Sequence, residues 1–192
     1  MTCPSIRSLS GASLVVLLAF KSAFVPALAD PTAIIISTPP DLERVSLIRT
    51  ARDAESADGV VDVLLLENTQ KTGGRFRQFL AVTFRDEAHR QAYTAVLGTP
   101  EARAVKVRNA DVLTHGEIWP RDTKTAVFKV NDYEPIVGSQ TYDAFADGYI
   151  RPLMEGQVAA DIMTRYTMFF EHGQGGLVWS VLEYTNQEAL DS

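Results

Sequence analysis

The chain has 192 residues, room for one ordinary domain or two small ones, and its 46% hydrophobic and 22% charged residues are a normal globular balance that speaks against disorder. With 24 acidic against 18 basic residues the net charge is −6, so a polyanion is repelled on average and nucleic acid is not expected as a partner. Cys3 is the one cysteine, which leaves no internal disulfide and no Cys-based metal site.

Residues 1–29 read as a secretory signal: Arg7 gives a positive start, "SLVVLLAF" an apolar core, and "ALA" at 27–29 a small-x-small cleavage site before Asp30. Lys21 breaks the apolar run after roughly ten residues, well short of the ~20 that span a bilayer. The expected product is exported to the periplasm or beyond, soluble, and free of membrane contact after cleavage. It would lack cysteine and carry a net charge of −8, from 16 basic and 24 acidic residues.

From Thr32 to Ile36, "TAIII" predicts a strand, and Leu42, Val45, Leu47 and Ile48 in "DLERVSLIRTARDAE" have helical spacing up to the stop at Gly59. Val60 to Glu67 is nearly all apolar, as suits a strand covered on both faces. "NTQKTGGR" makes a turn into "FRQFLAVTF", where Phe76, Gln78, Leu80, Val82 and Phe84 alternate with Arg77, Phe79, Ala81 and Thr83. A helix follows from Asp86 and a strand in "ADVLTHGEIW". The order is that of a ferredoxin-like βαββαβ unit, placed at residues 30–120.

The pattern restarts in residues 121–192: "TAVFKVND" is a strand, "SQTYDAFADGYIRPLMEGQ" a helix bent at Gly148 and Pro152, and "DIMTRYTMFFEHGQGGLVWSVLEY" a second hairpin. This helix is expected to carry Tyr142, Phe145, Tyr149 and Leu153 on one face. In the hairpin, Ile162, Thr164, Tyr166, Met168 and Phe170 are expected to share a face, opposite Met163, Arg165 and Phe169. The second unit stops before its final helix and strand, leaving an open sheet edge of the kind that invites association.

The segment "YDAFADGYIRPLMEGQVAADIMTRYTMFFEHGQGGLVWSVLEY", with the repeat spanning 32–192, resembles the dimeric α+β barrel superfamily, in which ferredoxin-like units pair their antiparallel sheets into a barrel. The resemblance implies that two units in one chain pair internally. It also implies a range of activities: cofactor-free monooxygenases, haem-handling enzymes, polyketide cyclases and isomerases. No catalytic motif carries over residue by residue, and fold alone does not fix function.

Three histidines are candidates for acid–base work. His89 lies in a charged helical run and His172 in a Gly-rich turn, both solvated by composition, whereas His115 shares a strand face with Leu113, Glu117 and Trp119. An imidazole two residues from a carboxylate could act as base and orienting group. The catalytic candidates are therefore His115, Arg165 and Tyr166. Tyr142, Phe145, Tyr149, Tyr166 and Trp179 are the ligand-binding candidates, an aromatic set suited to a planar apolar molecule. Neither HxH nor HExxH occurs, so no metal and no cofactor are expected. Gly73–Gly74 and Gly175–Gly176 read as hairpin turns, since no helix follows them as a phosphate loop requires. Two functions stand at this point: binding of a small hydrophobic or aromatic ligand or self-association as a homodimer, and cofactor-independent monooxygenase, isomerase or cyclase chemistry, with haem handling as a variant.

Overall fold

A computed structural model describes residues 13–20, 31–41, 46–69, 75–97, 105–118, 125–135 and 137–192. The chain divides into two compact units, Val15–Val112 and one built chiefly of Leu113–Ser192.

In the N-terminal unit the elements are β1 (Ser13–Phe20), β2 (Thr32–Ser37), α1 (Ile48–Glu55), β3 (Val60–Asn68), β4 (Gln78–Phe84), α2 (Glu87–Leu97) and β5 (Lys106–Glu117). Its strands lie in the antiparallel order β1-β3-β4-β2-β5. The octet read as the apolar core of an export signal is thus a strand paired along β3, from Val15 opposite Asn68 to Phe20 opposite Val63.

The alternation in "FRQFLAVTF" is realised from Gln78 on, where β4 begins, whereas Phe76 precedes the strand and packs against Phe79. Leu80, Val82 and Phe84 join Ile34, Ile36, Val63 and Leu65 under the helices, where Leu47, Ala51, Ala54 and Tyr93 close the core. The buried Gln78 amide oxygen accepts the Leu47 N–H at 2.9 Å, satisfying a donor at the start of α1. Gly59 turns the chain at φ +76°, and a Cβ there would lie 2.2 Å from the His89 ring, so this glycine permits both the turn and the contact.

The C-terminal unit contains the end of β5, β6 (Val127–Tyr133), α3 (Ser139–Phe145), a π-helical turn (Ala146–Ile150), α4 (Arg151–Ala159), β7 (Met163–Glu171), β8 (Val178–Tyr184) and α5 (Gln187–Asp191). Its strand order is β5-β7-β8-β6. The core under the long helix joins Tyr142, Ala146 and Ile150 to Leu113, Met168 and Val178, and a second cluster joins Met163, Tyr166 and Leu182.

Two expectations are corrected here. The helix bends by a π turn, with the Arg151 N–H bonded to the Ala146 carbonyl five residues back. The turn sits just before Pro152, whose ring and missing N–H disfavour a regular α-turn at that place. The added residue moves the buried stripe by one position, to Tyr142, Ala146, Ile150 and Met154, while Tyr149 and Leu153 are 58% and 47% exposed. In β7 a bulge between Met163 and Arg165 breaks the strict alternation, so Met163 packs beside Tyr166 on the helix side and not beside Arg165.

Candidate functional site

The β7–β8 hairpin is held at its tip by Glu171, whose carboxylate accepts from Trp179 Nε1 at 2.6 Å and from the Leu177 N–H at 3.1 Å. Gly173 and Gly175 take φ of +99° and +72° in the turn between the strands, the hairpin role read from the sequence. Gly73 and Gly74 lie outside the described residues, as does Trp119.

Register divides the candidate residues between two sheet faces. On the helix side, Tyr166 lies across β5: a Cβ on Gly116 would come within 2.4 Å of its ring. The Tyr166 hydroxyl bonds to the Thr114 side chain, and Thr114 Oγ1 also accepts from Arg151 Nε at 3.1 Å. Arg151 is anchored in turn on Asp147, 2.6 Å away and four residues earlier. Burial pushes the Tyr166 phenol above its ordinary range, with the Thr114 bond opposing and Glu155 adding to the shift.

The opposite face is organised in three rows. Arg165 stands opposite Glu183, which stands opposite Phe128; Thr167 is opposite Val181 and Val130; Phe169 is opposite Trp179 and Asp132. From β5, His115 joins the middle row, its Nδ1 2.9 Å from Thr167 Oγ1, with Nε2 3.9 Å from Glu117 Oε1. Arg165, Thr167, Glu171 and Glu183 are all buried, whereas the His115 side chain is 39% exposed and reachable.

The structure therefore separates residues that the sequence reading grouped. His115 and Arg165 share the polar face, and Tyr166 is on the other side of the sheet with Thr114 and Arg151. Neighbouring strand residues point to opposite faces, so 165 and 166 cannot serve one site together. Leu113 belongs to the helix-side core and not to the His115 face.

The aromatic set divides as well. Tyr142 meets Phe145 and Phe170 with ring centroids 5.8 and 5.9 Å apart, as core packing. Tyr149 stacks on Phe145 from the exposed side, and Trp179 is engaged with Glu171 on the polar face. His89 is not simply solvated: its Nδ1 is 2.7 Å from Asp86 Oδ1, and its Nε2 is 3.6 Å from Asp58 Oδ2. His172 is exposed in the hairpin turn.

Thr167, Glu183, Asp132 and Glu171 were missed as members of the polar face. A glutamate inside the apolar run "VWSVLEY" is the signal that could have flagged Glu183, because an ionisable side chain in a buried strand is rare. Among the described residues, no group of three or more His, Cys, Asp or Glu is placed to hold a metal ion.

No protein-family profile and no curated protein matches the chain. Among solved structures it is similar to the crystal structure of a "putative monooxygenase" from Lactobacillus acidophilus NCFM. The two are 14% identical with a TM-score of 0.58, the match covering 85% of this chain and 80% of that one. At this identity the likeness is one of fold, and it supports an α+β barrel-type architecture.

Proposed function

We propose that the C-terminal unit binds a small organic molecule along the face that carries His115, Thr167, Arg165 and Glu183. The observation that carries this reading is the concentration of ionisable groups on a buried sheet face whose N-terminal counterpart is mostly apolar. Burying charge costs several kcal/mol per ion even after relaxation, so such groups are more readily explained by binding or chemistry than by stability. His115 is the reachable member, and Phe169 and Trp179 supply apolar surface nearby in the register. A thermal-shift screen with phenols, aromatic carboxylates and flat apolar compounds tests it. Hits that stabilise the native chain should lose their effect in His115→Ala, and hits that act equally on both would remove this face from consideration.

Catalysis without a cofactor is the second reading, favoured by the fold likeness and by a partly exposed imidazole held from one nitrogen. In that reading His115 handles the proton as molecular oxygen adds to, or an isomerisation proceeds in, an activated aromatic substrate. Oxygen uptake with easily oxidised phenols, abolished in His115→Ala, is the expected outcome, and uptake unchanged by that substitution would reject it.

We also propose that the two units are ferredoxin-like copies of one another. The matching strand orders, β3-β4-β2 and β7-β8-β6, and equivalent bulges in β3 and β7 support this. Export rests on the charge, apolar and small-residue pattern of residues 1–29. Cleavage after Ala29 would remove β1 and uncover the β3 edge, a surface suited to self-association as a homodimer. The mass of the chain recovered from the periplasm checks this, since an intact Met1 there would contradict cleavage. Among the described residues, no helix is long and apolar enough to cross a membrane.

A further inference from the structure

We infer that Thr167 and Glu117 hold His115 as the tautomer protonated on Nε2, which makes the ring a hydrogen-bond donor toward a ligand oxygen. The inference rests on the reading of this face as a ligand site and assigns the ligand a chemical class: a molecule that presents a carbonyl, carboxylate or phenolate oxygen to His115.

The two ring nitrogens face different partners. Nδ1 is 2.9 Å from Thr167 Oγ1, within hydrogen-bond distance, and Thr167 is buried on β7 where its hydroxyl is held against the ring. Nε2 is turned toward Glu117, whose Oε1 is 3.9 Å away and whose side chain is only 11% exposed. A carboxylate only accepts, so a bare nitrogen lone pair against it is repelled and an N–H is attracted. Placing the proton on Nε2 leaves Nδ1 as an acceptor, and the Thr167 hydroxyl is the group that can donate to it. A hydroxyl can accept as well as donate, but Thr167 is buried against Nδ1, so donation to Nδ1 is what keeps its proton bonded, and the Glu117 carboxylate favours the same tautomer.

The Nε2 contact is too long to be a hydrogen bond, so Glu117 orients the proton without consuming it. The N–H remains available to a ligand, since the His115 side chain is 39% exposed. Thr167 acts through His115, as a positioning residue, and Glu117 has the same role from the other side.

The measurement is a long-range proton–nitrogen spectrum of the ¹⁵N-labelled full chain at roughly pH 8, above the ordinary imidazole range. The native protein should show His115 as a single form with a protonated-type Nε2 and an acceptor-type Nδ1. Thr167→Val should lose that single-form pattern and give a mixture, and Thr167→Ser, which keeps the hydroxyl, should restore it. A proton on Nδ1 in the native protein, or a Thr167→Val spectrum identical to native, would overturn the inference. The native spectrum decides the tautomer by itself, so a poorly folded Val variant does not protect the idea. Failure of the ligand reading would show separately, as thermal-shift hits indifferent to His115→Ala, with the spectrum untouched.

Discussion

The two units share a strand order and a bulge, and they differ in what lies on the sheet face away from the helices. Aligned on their bulges, Asp62, Leu64 and Leu66 of β3 correspond to Arg165, Thr167 and Phe169 of β7. Likewise Thr83, Ala81 and Phe79 of β4 correspond to Glu183, Val181 and Trp179 of β8, and Ala33, Ile35 and Ser37 of β2 to Phe128, Val130 and Asp132 of β6. The helix-facing rows, by contrast, carry the apolar cores of both units, with Gln78 as a polar member of one and Ser180 and Asn131 of the other. Packing under the helices keeps one face mostly hydrophobic, and the other face is where the sequence is free to diverge.

The sharpest way to break this contrast is to give the C-terminal unit an N-terminal residue. Replacing buried Glu183 by the threonine of its counterpart leaves buried Arg165 without the opposite charge that stands across from it and should cost about 3–5 kcal/mol. Ile35→Val on the equivalent apolar face should cost only about 0.5–1.5 kcal/mol. Urea unfolding of both variants decides the matter, and equal losses would mean that the ionisable face is energetically ordinary.

Alkaline pH should sharpen the same comparison. Burial raises the phenol of Tyr93 in the N-terminal unit and those of Tyr142, Tyr166 and Tyr184 in the C-terminal unit. A raised folded-state value means that the native chain binds more protons than the unfolded chain. Stability is then intact below the unfolded tyrosine range and falls as pH rises through about 10 and beyond. Thermal melts from pH 8 to 11 should show the decline, and Tyr142→Phe should make it shallower. A melt independent of pH over that window would contradict the burial of these phenols.

The helix caps supply the smallest contrast. Asp86 Oδ1 accepts the His89 N–H at 3.0 Å and Asn186 Oδ1 accepts the Ala189 N–H at 2.9 Å, at corresponding places after β4 and β8. Asp86→Ala should be the more destabilising of the two, since Asn186 caps a helix of only five exposed or half-exposed residues and Asn186→Ala should lose about 0.5 kcal/mol or less. The bonds from His89 lower the Asp86 carboxyl below its ordinary range, so this contribution is present at neutral pH and lost as pH falls through the lowered value. Thermal melts of the two variants at pH 7 and pH 3 measure both effects.

Much of this architecture was legible because it rests on local rules. Period-two alternation in "FRQFLAVTF", the stop at Gly59 and the glycine turn after Glu171 each depend on neighbouring residues alone. The site was less legible because its defining features are not local. A bulge inserts a residue without any side-chain signature, and so Met163 was placed on the wrong face. His115 and Thr167 are 52 residues apart and meet only through strand pairing, which no single segment encodes. Tyr166 was joined to His115 by chemical plausibility, although alternation from Arg165 already set it on the other face.

The π turn at Ala146–Ile150 has a consequence for how this helix tolerates changes in chain length. It absorbs one more residue than an α-turn would and passes the remainder of the helix on with its buried side intact. Deleting Gly148 would shorten the turn to α geometry while leaving Tyr142, Ala146, Ile150 and Met154 aligned on the sheet. A one-residue deletion elsewhere in the helix would rotate every later side chain by about 100° and turn the buried stripe outward. Length and phase are uncoupled at this point, so the segment can lose a residue without unpicking the core beneath it.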